Sequence, residues 1–175
     1  MVKNISIEKA KTDPTNSVVY TYNFNENILL TNIKYHDKNN LICLTNEKIY
    51  LLNIVDYIDN NIMAIENNYE FIDINLKNHL LYTYNNYSNF SNISYVNILN
   101  TQNNSKNIYK FKGSIKSICS NEQKIAINTG SEIHFIGLNG WLIKKYDSYN
   151  EINNIILGDS VAAIIYKDKI KIVEI

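Results

Sequence analysis

The side chains able to do acid–base, nucleophilic or metal chemistry are few in this chain, and their spacing is poor for it. His36, His79 and His134 are the only histidines. They stand in separate apolar runs, and no HxH or HxxxH spacing brings two of them together as a zinc site requires. In "EIHFIG" His134 alternates with Phe135, so one of the two is expected to face outward. Each histidine reads as a satisfied or exposed side chain rather than a ligand. Asp56, Asp59 and Asp73 follow no pattern that fixes a carboxylate pair for glycoside hydrolysis. "GDS" at 158–160 has the letters of an esterase serine without the GxSxG elbow, and it reads as a turn. The sequence contains neither a glycine-rich phosphate loop nor a calcium-loop pattern. Cys43 and Cys119, in "LICLTN" and "SIKSICSN", form no CxxC or Cys/His pair and read as buried free thiols. No catalytic residue, metal or cofactor is expected.

Residues suited to binding are easier to find. "YTYNNYSNFSNISY", residues 82–95, alternates aromatic and amide side chains, a composition that recognises peptide or carbohydrate by stacking and amide hydrogen bonds. Tyr84, Tyr87 and Phe90 are its candidate contacts, against the plainer reading of a tyrosine-rich hairpin with one face on the core. Trp141 is the fourth candidate, an aromatic at a strand start that can cover a hairpin or stack on a ligand. It follows Asn139-Gly140, both of which tolerate the positive φ of a type I′ hairpin turn. Lys144 and Lys145 fall one to each face of the next strand, and lysine on an edge strand discourages stray pairing. Asn is so abundant here, as in the products of AT-rich genomes, that it marks no function by itself.

Charge excludes one class of partner. Seventeen basic residues balance seventeen acidic ones, and the chain has no arginine. Without the guanidinium fork there is no bidentate reading of phosphate or guanine, and without net charge there is no long-range pull on a polyanion. Nucleic acid is therefore not an expected partner. The first residues lack the apolar core of a signal peptide, and no apolar run reaches the roughly 18 residues of a membrane span.

The elements that must position these residues are strands. Runs rich in Ile, Val, Tyr and Leu are broken by Asn, Asp, Ser, Gly and Lys, and no stretch of a dozen residues carries a helical stripe. The runs group in fours. "SIKSICSN", "KIAINTG", "EIHFIGLNG" and "WLIKKYDS" form the clearest unit, and first strands begin near Ile28, Tyr69, Ser114 and Glu151, a spacing of roughly 37 to 45 residues. This is a β-propeller repeat in an all-β domain, with about four blades' worth of four-stranded sheet, alone or as part of a larger ring. The blades are expected at 28–68, 69–113, 114–150 and 151–175, the last completed by the N-terminal strand 17–25, with the first strand of each blade lining the axis. "NISIEKAKTDPTNSVVYTYNFN" repeats the third- and fourth-strand pattern of "NISYVNILNTQNNSKNIYKFKG". A homodimer completing a larger ring is the alternative to closure within one chain.

"SVVYTYNFNENILLTNIKYHDKNNLICLTNEKIYLLNI" and "SIKSICSNEQKIAINTGSEIHFIGLNGWLIKKYD" resemble an uncharacterised bacterial family of membrane-anchored β-propeller proteins, found mainly in clostridia and their relatives. Tyr20, Tyr22 and Phe24, then Ile33 and Tyr35, then Asn139 and Gly140 stand in the positions of its recurring strands and hairpin. The resemblance implies an extracytoplasmic propeller behind one membrane helix, at the extracellular face of a Gram-positive cell membrane. This chain would then be a C-terminal part of a longer protein. Apart from the resemblance, a cytoplasmic protein is expected. It carries over no catalytic residue, because the function of the family is unknown. The expectation is a noncatalytic binding or scaffold module for a peptide, glycan or protein partner; the alternative is a propeller enzyme, of glycosidase or quinone-dependent dehydrogenase type, with its site on the axis.

Overall fold

The computed structural model describes residues 2–5, 7–16, 18–24, 27–36, 38–46, 48–53, 63–66, 72–73, 76–87 and 91–175. The chain divides into two compact units, Met1–Asn67 and Asn68–Ile175.

In the first unit, β1 (Val2–Ile5) pairs antiparallel with β2 (Val18–Tyr22). Between them lie a helix, α1 (Ile7–Thr12), and a 3₁₀ turn over Pro14–Asn16, where the sequence led us to expect no helix. The cause is local. "IEKAKT" is mostly good helix formers, and Asp13 closes the following turn by accepting from Thr15 Oγ1 at 2.6 Å and Asn16 Nδ2 at 2.7 Å. Next comes an antiparallel meander of β3 (Leu30–Tyr35), β4 (Asn40–Thr45), β5 (Lys48–Asn53) and β6 (Met63–Glu66). Leu41, Cys43 and Leu52 form its core, covered by Tyr22, Phe24, Leu30 and Tyr50.

The second unit contains three sheets. β7 (Ile72–Asp73), β8 (His79–Tyr87), β9 (Asn92–Asn100) and β10 (Lys106–Lys112) make one; β11 (Ser117–Ser120), β12 (Lys124–Asn128), β13 (Glu132–Gly137) and β14 (Leu142–Asp147) make the next. β15 (Asn154–Leu157), β16 (Val161–Ile165) and β17 (Ile170–Glu174) form a sheet of three strands among the described residues. The segment 17–25, expected to complete this last sheet, contains β2, whose hydrogen-bonded neighbour is β1. Strands follow one another in order within every sheet, and the first strand β11 lies beside both β7 and β15.

Packing between sheets removes the usual in/out alternation. Leu81, Val96 and Ile98 of the β7–β10 sheet meet Ile125, Ile127 and Ile136 of the β11–β14 sheet. The other face of that middle sheet, with Ala126, Ile133 and Phe135, meets Ile155, Ala162 and Ile164 of the last. A strand with a sheet on either side has no outward face, so His134 and Phe135 are both buried, against the expectation that one would face outward. The last sheet buries only one face. On its other face Ile156, Ala163 and Ile172 stand opposite one another across the strands, with Ile156 56% and Ile172 62% exposed.

The hairpin at Asn139-Gly140 forms, but not as a type I′ turn. Gly140 alone takes positive φ, 77°, and its N–H donates to the Gly137 carbonyl at 2.9 Å. Gly137 N–H in turn donates to the Trp141 carbonyl, and the register shifts after Phe135. This is a three-residue loop ending in a left-handed glycine with a bulge. A Cβ on Gly140 would lie 3.3 Å from the main-chain oxygen of Ile108, so the neighbouring sheet also requires a glycine there.

Candidate functional site

Of the four sequence candidates, Tyr84 is half-buried and lies directly opposite Tyr95, with the two rings stacked at 4.7 Å and 8°. Its ring face is spent within the hairpin. Tyr87 ends β8 opposite Asn92, its side chain outside the description, and Phe90 lies outside the described residues. Trp141 is 75% exposed; its N–H donates to Asn139 Oδ1 at 3.0 Å, and the strand begins one residue later, at Leu142. Tyr84 lies on β8 and Trp141 just before β14, and among the described residues no ring contact joins them. Lys144 and Lys145 do diverge: Lys144 Nζ donates to the Glu174 carbonyl and Lys145 Nζ to Glu132 Oε2, each at 2.9 Å.

The best-defined polar network is one the sequence did not reveal. His134, 2% exposed, places Nδ1 3.0 Å from the Tyr109 hydroxyl and Nε2 2.7 Å from Glu132 Oε2, which also receives Lys145. Phe111 and Tyr109 close edge-on around the imidazole at 4.8 and 5.8 Å. Hydrogen bonds from His134 and then Lys145 hold the Glu132 carboxyl below its usual value, while burial pushes the Tyr109 phenol up. His134 and Glu132 are two apart on β13 and therefore share a face, which the spacing does predict; Tyr109 comes from the adjoining sheet, which it does not. Every ring nitrogen is engaged, so the network fastens two sheets together. His79 lies apart, with Nδ1 2.6 Å from the Lys77 carbonyl. Among the described residues no three of His, Cys, Asp and Glu converge as a metal site would require.

Among the described residues a polar groove of about 410 Å³ opens between the β12–β13 turn and the β14–β15 connection. Lys116, Asn128, Ser131, Asn150 and Glu151 line it, and Tyr149, 99% exposed, stands at its edge. Its walls are fixed by main-chain hydrogen bonds: Lys116 N–H to the Asn128 carbonyl and Ser148 N–H to the Ser131 carbonyl, both 2.8 Å. Gly130 takes φ +102° and donates to Asn128 Oδ1 at 2.8 Å, which makes the sharp corner. A smaller cavity of about 200 Å³ adjoins it, sharing Ser148, Tyr149 and Asn150 and adding Tyr146, Tyr166, Lys169 and Lys171. None of these residues was singled out beforehand. The groove is built within the β11–β14 sheet and its connection to β15, and the smaller cavity adds residues of the last sheet.

No family model and no curated protein matches the chain, so the membrane-anchored family gains no support at that level. Solved structures do match. BamB from Moraxella catarrhalis is similar with a TM-score of 0.50 and 9% identity, over 80% of this chain and 41% of that one. Kluyveromyces lactis Hsv2 gives 0.51 and 13%, over 84% and 46%. BBS1N, solved in complex with ARL6DN, gives 0.50 and 10%, over 90% and 56%. All three are β-propeller-like, and at such identities the likeness speaks for fold alone. The expected fold class is therefore the observed one: this chain is a run of β-propeller blades, spanning between 41% and 56% of the length of the propellers it resembles.

Proposed function

We propose that the chain is a noncatalytic recognition module that binds a peptide segment of a partner protein in the groove beside Tyr149. The observation that carries this reading is a fully exposed tyrosine at the edge of a groove walled by amides, hydroxyls, one ammonium and one carboxylate. A tyrosine ring offers rigid contact area at low entropic cost, and tyrosine is enriched among the residues that dominate binding energy. Asn128, Ser131 and Asn150 supply the donors and acceptors that a peptide main chain needs. Lys116 and Glu151 give the groove opposite charges, which orient a ligand more than they tighten it. The contrast with the network around buried His134 supports a binding role: Tyr109, His134 and Glu132 are committed to one another. The family resemblance adds a location to the proposal, the extracytoplasmic side of a membrane-anchored parent protein.

The test is a selection from random peptides, run beside a glycan array, on the wild type and on Tyr149→Ala. Peptide binding that weakens about 30-fold in Tyr149→Ala, near 2 kcal/mol, with an unchanged melting temperature is the expected result. Binding indifferent to Tyr149, glycan binding alone, or turnover of a glycoside substrate would each overturn it.

A further inference from the structure

The smaller cavity lies on the seam between the outer strands β14 and β17, and the sheet registers explain its contents. Tyr146 stands opposite Ile133, and Lys171 opposite Ile164, and both of those isoleucines belong to the core shared by the two sheets. Tyr146 and Lys171 therefore project toward each other, with Lys171 Nζ 5.0 Å from the Tyr146 ring centre. Lys169 Nζ lies 5.6 Å from the ring centre of Tyr166, a residue only 6% exposed. The aromatic faces hold two ammonium groups at one cavity without neutralising either. Among the described residues no carboxylate forms an ion pair with either lysine.

The hydroxyls point the same way. The Tyr146 hydroxyl lies within hydrogen-bonding reach of Lys171 and Tyr166. Ser148, 8% exposed, lies 3.2 Å from the Tyr166 hydroxyl and 2.8 Å from the Asn150 carbonyl, tying the floor of the cavity to the loop of the groove. Lys171 and Tyr166 also make the Tyr146 phenol easier to ionise than usual, a sign of local positive potential. Asp147 is the single carboxylate on the wall. Two ammonium groups and the Tyr146 hydroxyl face a single acid, and a small oxyanion there gains charge-assisted hydrogen bonds.

We propose that this cavity is a phosphate-binding site, in which Lys169 and Lys171 supply the charge and Tyr146 a hydroxyl. The shared chemistry is a phosphate dianion, whether free or carried on a phosphorylated side chain. Tyr149 borders both the groove and this cavity, and the two sites are told apart because Tyr146, Lys169 and Lys171 line the cavity alone. Lysine rather than arginine suits it: a compact ammonium fits a small cavity as a point charge and needs no planar fork.

Backbone amide NMR of the whole chain, titrated with inorganic phosphate at constant ionic strength, tests the proposal. Saturable shifts at residues 146–150 and 166–171 are expected, with millimolar affinity. Lys169→Gln/Lys171→Gln should weaken binding at least tenfold, and Tyr146→Phe, which keeps the ring, about threefold. A short phosphoserine peptide binding ten times more tightly than inorganic phosphate would assign the site to attached phosphate, and equal affinities would assign it to the free ion. Shifts that rise without saturating, equal shifts with acetate, or unchanged affinity in the double-lysine variant would overturn it. The spectra of the variants report folding directly, and both lysines lie at exposed positions.

Discussion

Glu132 is a residue through which pH acts on the network around His134. Its carboxyl is held low by His134 and then Lys145, so the stability it contributes is present above the ordinary value of 4.5 and is lost as pH falls through the lowered one. The side chain is 35% exposed, which limits the gain. Glu132→Gln should lower stability by about 1 kcal/mol at pH 7, and the gap from wild type should close as the medium is acidified, read from urea midpoints across pH. Tyr109→Phe should likewise cost about 1 kcal/mol, by removing the hydroxyl that faces Nδ1 of a buried imidazole. The thiols run the other way. Burial pushes Cys43 to about 11 and Cys119 to about 12, so at pH 8 both stay protonated in the folded chain, whereas the thiols of the unfolded chain begin to ionise there. A thiol reagent at pH 8 should modify them at least a hundredfold more slowly in the native protein than in urea. The free thiols themselves were legible, since each cysteine sits in an apolar run with no partner spacing. The buried imidazole was not, because alternation shows only that two neighbours face opposite ways, and both ways lead into a sheet.

At the scale of elements, turn chemistry and apolar alternation made the strands readable. Asn139-Gly140 announced a hairpin, and one formed, as a bulged three-residue loop whose Gly140 is approached by the Ile108 main chain of another sheet. Gly140→Ala meets both constraints, a left-handed backbone and a carbonyl oxygen at 3.3 Å, and should destabilise by about 2 kcal/mol, measured by thermal unfolding. Gly137→Ala makes a useful contrast, since the atom its Cβ would meet is Asn139 Oδ1, the end of a side chain. α1 was missed because six residues between strands carry no apolar stripe and fold on local preference. The aromatic run 82–95 looked like a surface for ligands, whereas Tyr84 and Tyr95 stack on each other. Composition alone could not distinguish a pair that satisfies itself from a pair that waits for a partner.

For the molecule as a whole, repetition was the legible signal: strands grouped in fours at a steady spacing, and the sheets follow that grouping. The groove and the cavity beside it were not, because Lys116 and Tyr149, and likewise Tyr146 and Lys171, are far apart in sequence and are brought together only by the fold. Stacking also couples the sheets of the second unit. Phe135 is wholly buried in the core shared with the last sheet, so Phe135→Ala should cost about 4 kcal/mol and should loosen β15–β17 together with β13, visible as joint loss of amide protection. The isoleucines on the exposed face of the last sheet bear on how the protein behaves in the tube. Ile156, Ile170 and Ile172 keep a strip of oil in water, and water's cohesion acts on it whenever dissolved salt is excluded from the surface. Ammonium sulfate should therefore precipitate the wild type well before Ile156→Lys/Ile172→Lys, while sodium chloride at equal ionic strength should separate the two far less.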